Sequence, residues 1–457
     1  MHARAMMTLH APRRFVLCLL STVAMACGGD DVSTPPAGDV AADAIDDAIT
    51  PGPDTPVGED GGPDGTVEDV VLADATNEDT AIEDVHDDAE TRQDAALPDI
   101  DEPLDLAAGD IDEPLDTAIA DTTETPDITV EPANPFVAEN ETWAWIEVEG
   151  TVCGNGTPNG VGVNLTNRSD KVLLVFQGGG ICWDWNTCFV VKSAAHIEDT
   201  LTPAMVAQDL VALRSPFFDR NDPTNPFRDA SFVFFPYCTG DFFAGDSITS
   251  YAFLAERRNV HHRGAHNWQH YLPRLRDTFP NPSTVWVTGF SAGGLGVTFN
   301  WWRFLDLWPN ADVHAMNDCG STLEPVAGRF NEWKQAVNFQ FPPGCDACDE
   351  GLPNFFPHYA ETVDPRNRLA FLGYRNDFVL QLFMGVGPAV VATRTDALRT
   401  AMGSIAHQKT YFITSTDHVM NPNLKTIRTS QASGRVLAWD WVQAWANGST
   451  PWNHAGP

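Results

Sequence analysis

The chain changes character near residue 135. Beyond that point short apolar runs alternate with amphipathic stretches over more than 300 residues. The runs Lys171–Gln177 (KVLLVFQ), Ser231–Pro236, Thr284–Gly289 (TVWVTG), Val313–Asn317, Leu369–Tyr374 and Thr410–Thr414 have the length and branched or aromatic content of strands. Arg263–Phe279, Ala292–Leu307 and Val436–Ala446 repeat their apolar positions at helical spacing. Strands separated by helices predict an α/β fold, a mostly parallel sheet flanked by helices, with residues 135–457 as one domain. The run FVLQLFMGVGPAVV (378–391) reads as a buried helix or, alternatively, as the wall of an apolar pocket.

Composition explains the silence before residue 135. Between residues 27 and 134 there is no Phe, Trp or Tyr, whereas all 14 Trp lie beyond. That segment holds 33 of the 63 acidic residues and one basic residue, Arg92. Such a stretch buries too little apolar surface to offset the entropy of ordering it, so a disordered acidic tether is expected. It contains a single duplication, Asp99–Asp105 and Asp110–Asp116, too few copies for a stacked repeat. The net charge of −36 is therefore largely a property of the tether, and it argues against a nucleic-acid partner.

Residues 1–26 have the build of an export signal. Arg4, Arg13 and Arg14 precede an apolar run, Phe15–Ala26, that is too short to span a bilayer. Cys27 follows small residues and precedes a flexible tail, similar to a bacterial lipoprotein signal, although Ala24 stands where Leu is usual. Lipid anchoring at Cys27, with a membrane as partner, and ordinary cleavage with secretion are the two expectations. Both put the protein outside the cytoplasm.

Seven cysteines lie beyond residue 135: Cys153, Cys182, Cys188, Cys238, Cys319, Cys345 and Cys348. In an oxidising compartment these read as disulfides, with one thiol left over, and Cys182 with Cys188 as the first candidate pair. Cys345 and Cys348 form a CxxC, but no second CxxC or spaced histidine pair accompanies them, so no metal is expected.

The candidate chemistry is Gly289-Phe290-Ser291-Ala292-Gly293, a G-x-S-x-G. An apolar strand enters it and a helical run leaves it, the strand–elbow–helix context that lifts a serine hydroxyl clear of a sheet. This makes an α/β-hydrolase-like fold the expectation, with Ser291 as nucleophile. Gln177-Gly178-Gly179-Gly180 follows the first strong strand, where such folds place backbone N–H groups for an oxyanion. The partners should follow in the order acid, then histidine. Asp377 lies just past the strand RLAFLGY, and His418 just past TYFIT. They are the candidate orienting acid and general base. Asp318, after the strand VHAMN, is the rival acid.

With these motifs in order, the chain resembles the pectin acetylesterases and the related Notum carboxylesterases from about Cys153 to His418. Cys153-Gly-Asn-Gly-Thr157 is similar to that family's C-x-D-G-[ST], with Asn155 for Asp. VFQGGGICWDWNTC (175–188) resembles its oxyanion loop, and Tyr237-Cys-Thr-Gly-Asp241 its Y-C-x-G-D. His262-Arg-Gly-Ala265 resembles its F-R-G stretch. Asp318-Cys319-Gly320, the CxxC before Phe355-Phe356-Pro357, and the late Asp and His complete the order. The resemblance implies a triad of Ser291, Asp377 and His418, oxyanion N–H groups from Gly179, Gly180 and Ala292, and neither metal nor organic cofactor. Ile181 stands where the family often has Trp, and Val419-Met420 where its plant enzymes have Cys-Gln. Both departures bear on substrate more than on reaction type.

Three functions follow as expectations. One is an esterase that removes O-acetyl groups from an extracellular polysaccharide, with Trp183 and Trp185 either stacking on sugar or packing in the core. The second is a lipid-acyl or general carboxylesterase. The third is a catalytically silent surface protein that binds glycans.

Overall fold

The computed structural model describes residues 133–457. The expectations for the export signal, Cys27 and the tether up to residue 132 lie outside the described residues.

An eight-stranded sheet forms from β1 (Ala144–Val152), β2 (Pro158–Asn164), β3 (Val172–Phe176), β4 (Ser231–Phe235), β7 (Thr284–Phe290), β8 (Asp312–Asp318), β9 (Leu369–Tyr374) and β10 (Gln408–Ile413). Its order is β1-β2-β4-β3-β7-β8-β9-β10. The pairs β1–β2 and β2–β4 are antiparallel, and from β4 to β10 every pair is parallel. The mostly parallel sheet flanked by helices is thus as expected. A separate hairpin pairs β5 (Ser247–Phe253) with β6 (Glu256–His262).

Side-chain alternation explains why β3 is apolar throughout. Val172, Leu174 and Phe176 enter the core on one face, and Leu173 and Val175 enter that on the other. A central parallel strand is covered on both faces, so both registers must be apolar. The first core includes Trp268 of α2 (Gly264–Thr278) and Phe304 of α3 (Ala292–Leu307). The second includes Trp439, Trp441 and Trp445 of α8 (Ala438–Ala446).

The remaining helices are α1 (Pro203–Ala212), α4 (Arg329–Val337), α5 (Phe355–Thr362), α6 (Phe378–Met384) and α7 (Pro388–Gly403). Residues 378–391, expected as a buried helix or the wall of an apolar pocket, fall in α6 and the start of α7, which meet at a 98° bend. Gly385 closes α6 in the left-handed region (φ 66°), and Pro388 opens α7. The pair is only partly covered: Leu380, Met384 and Val391 are buried, whereas Phe378, Leu382 and Val390 are exposed. Among the described residues no single helix is long and apolar enough to cross a membrane.

Candidate active site

β7 delivers Ser291 at the carboxyl end of the sheet, and α3 begins at the next residue. Ser291 has φ 55° and ψ −124°, a conformation that L-residues rarely hold and that costs roughly 1–3 kcal/mol. The strain persists because the surroundings fix it. The Ser291 N–H donates to the Asp318 carbonyl at 2.8 Å, and Gly293 leaves room for the Phe176 carbonyl, which any side chain there would strike. Ala292 opens α3, whose first-turn N–H groups have no partners within the helix and carry positive dipole.

The glycine loop lies against this elbow. A methyl group at Gly178 would come within 3.1 Å of Ser291 Cβ. Gly179 and Gly180 both have positive φ (156° and 75°), and a side chain on Gly180 would strike the Ser193 carbonyl and the Phe383 ring. Tyr237, fully buried, fixes the loop: its hydroxyl donates to the Gly180 carbonyl at 2.7 Å and accepts from Phe242 N–H at 2.8 Å. In the sequence Tyr237 stands out only as part of a motif, and Phe383 only as one residue of the apolar run 378–391, with nothing that singles it out toward the glycine loop.

Asp377 caps α6 after β9 and is fully buried. One carboxylate oxygen accepts the Leu380 N–H at 3.0 Å, and the other lies 2.7 Å from His418 Nδ1. With Nδ1–H donating to that carboxylate, Nε2 of His418 is the basic nitrogen. It is shielded from solvent and has no hydrogen-bond partner among the described residues. Asp318, the rival acid, faces elsewhere. Its carboxylate accepts the N–H of Met420 (2.9 and 3.1 Å) and of Asn421 (2.7 Å). Burial pushes Asp318 up to about 6.

Among the described residues the cysteines form the pairs Cys153–Cys238, Cys182–Cys188 and Cys345–Cys348, and Cys319 is free and buried. Cys153–Cys238 joins the Cys153–Thr157 motif to the Tyr237–Asp241 motif. Asp241 joins the latter to the His262–Ala265 stretch, accepting from Thr239 Oγ1 (2.6 Å), Phe243 N–H (3.0 Å) and Gly264 N–H (2.7 Å). Among the described residues two groups of three side chains have metal-ligand spacing: Cys182, Cys188 and His262, and Cys319, Asp377 and His418. Neither donor set is suited to an ion. The first two thiols are bonded to each other, and burial with the nearby Asp318 and Asp377 carboxylates pushes the Cys319 thiol well above its ordinary range.

Trp183 and Trp185 are half-buried. The Arg329 guanidinium lies 4.7 Å from the Trp183 ring, and Phe253 stacks on Trp185 at 6.0 Å. Two open clefts of about 420 Å³ occur elsewhere, one along Lys171 and Ser231 at the amino ends of β3 and β4, the other beside Trp302 and His358. Neither lining contains Ser291, Asp377 or His418.

Fold and elbow together define an α/β-hydrolase-like protein. A structure of the Wnt deacylase Notum from Drosophila superposes with a TM-score of 0.52 at 16% identity, covering 68% of this chain and 95% of that one. The family model for pectinacetylesterase matches residues 139–339, and the resemblance read from the motifs stands. The human palmitoleoyl-protein carboxylesterase NOTUM is 26% identical over 181 residues, 38% of this chain and 34% of that one. Its mouse counterpart is 26% identical over 199 residues, 41% and 37%. The chain thus spans about a third of the length of these curated relatives.

Proposed function

We propose that the protein is an exported serine ester hydrolase whose residues 135–457 form the catalytic domain, and that it removes short acyl groups, acetyl first, from an extracellular polysaccharide. The observation that carries the reading is the Asp377–His418 pair at 2.7 Å, with Nε2 unpartnered, on the same sheet as a strained serine elbow. In the reaction His418 Nε2 takes the Ser291 Oγ proton as Oγ bonds to the ester carbonyl carbon. The carbonyl electron pair moves onto oxygen, facing the N–H groups of Gly179, Gly180 and Ala292. Collapse expels the alcohol, which leaves with the proton from Nε2 and a free acyl-enzyme behind. Water then attacks, gives its proton to Nε2, and the acid departs as Ser291 regains its own. No metal or organic cofactor enters these steps.

The Phe383 ring against Gly180 takes up space beside the oxyanion loop, which favours a small acyl group. Three disulfides suit an oxidising compartment, and the sequence before residue 27 suits export, with a lipid anchor at Cys27. A second reading, a lipid-acyl esterase, is favoured by the names of the curated relatives and by the exposed Phe378 and Leu382 on α6. Hydrolysis of p-nitrophenyl acetate, butyrate and octanoate separates the two. Acetate preference supports the first and octanoate preference the second; no hydrolysis of any ester by folded protein would point to the silent glycan binder.

A further inference from the structure

We infer that Asp318 is a positioning residue that locks the His418 loop to the serine elbow, an inference that rests on the proposed triad. Asp318 ends β8, the neighbour of β7 in the sheet. Its main-chain carbonyl accepts the Ser291 N–H, while its carboxylate accepts the N–H groups of Met420 and Asn421. One residue thereby fixes the nucleophile's backbone on one side and the segment immediately after the base on the other.

The backbone between them needs such a restraint. Ser291, Cys319 and Val419 all have left-handed φ (55°, 60° and 66°) without being glycine. For a β-branched residue such as Val419 this is a strong departure, held only where neighbours over-determine it. The two consecutive N–H groups after Val419 both point at the Asp318 carboxylate, which is 3% exposed. No lysine or arginine is paired with that carboxylate among the described residues, so those N–H groups are its main partners. The titratable groups around it are His418, Asp377, the Cys319 thiol and Tyr374.

The consequence is geometric. His418 is tied to Asp377 on α6 through Nδ1, which fixes the ring's tilt, whereas the Asp318 bonds fix where the loop sits relative to Ser291. A shift of about 1 Å at such a point costs on the order of a hundredfold in rate. Asp318→Asn keeps an oxygen for one N–H and turns an NH₂ toward the other; Asp318→Ala keeps neither.

The test uses the full chain. With p-nitrophenyl acetate, Asp318→Asn should lower kcat by about tenfold or more while KM stays within about twofold, and Asp318→Ala should lower it further. In a His418→Ala background, Asp318→Asn should change the residual rate less than about twofold, because it acts through His418. Equal losses in both backgrounds, or a wild-type kcat in Asp318→Asn, would overturn the inference. Amide hydrogen exchange over residues 418–424 reads the same restraint without turnover. Faster exchange there in Asp318→Asn, with the rest of the protein unchanged, is expected, and unchanged exchange refutes the lock. If the wild type cleaves no ester, the functional reading alone fails, and the exchange measurement still decides about Asp318.

Discussion

Ser291 directly follows β7, and Asp377 and His418 lie in the loops shortly after β9 and β10, which is why they could be read from the sequence. Chain order gave two candidate acids, because Asp318 and Asp377 both follow apolar strands. Which carboxylate meets Nδ1 depends on how the loops after β8 and β9 turn, and linear pattern does not encode it. For Ser291→Ala we expect loss of turnover by about 10⁴-fold or more, with an unchanged melting temperature, measured on p-nitrophenyl acetate. Asp377→Asn should lower kcat by roughly 10⁴-fold, since the carboxamide can turn its NH₂ to Nδ1 and leave the wrong nitrogen protonated. A far smaller loss in Asp377→Asn than in Asp318→Asn would exchange the roles of the two acids.

At the scale of elements the central strands were legible to within one or two residues, because buried parallel strands are apolar in both registers. β1 and β2 were missed at the antiparallel end, where glycines and polar residues interrupt the run. The β5–β6 hairpin was missed as well. Its strands, SITSYAF and ERRNVHH, are mostly exposed, and its turn places Leu254 (φ 54°) where a glycine or asparagine would have marked it. The oxyanion loop was legible through its glycines, but the Tyr237 and Phe383 rings that shape it arrive from distant segments. Gly180→Ala should push that loop off the Ser193 carbonyl and lower kcat by about 10²-fold or more, with KM little changed. An alanine variant with wild-type kcat would remove Gly180 from the oxyanion site. Replacing Cys153 and Cys238 together by Ala opens a link across 85 residues and should cost about 2–5 kcal/mol in denaturant unfolding.

For the whole molecule, buried titratable groups set the response to acid. Burial pushes His262, His314 and His454 down to about 4, so they are neutral when folded and take up protons on unfolding. Their contribution is present above about pH 6.5 and is lost as pH falls through that window toward 4. Asp241 and Asp318, pushed up to about 6, work the other way: they hold protons when folded, so their contribution fades as pH rises from about 4 to 6. Three histidines outnumber two carboxylates, so the melting temperature should fall between pH 6.5 and 4.5; a rise over that range would contradict this balance. The central claim is that Ser291 is the nucleophile of an ester hydrolase, and the most direct test is covalent capture. The protein is incubated with a fluorophosphonate probe, and the adduct is located by peptide mass spectrometry. The account predicts one adduct, on Ser291, absent in Ser291→Ala and formed far more slowly in His418→Ala. Labelling of Ser291→Ala at the wild-type rate, or no labelling of folded wild type, would contradict it.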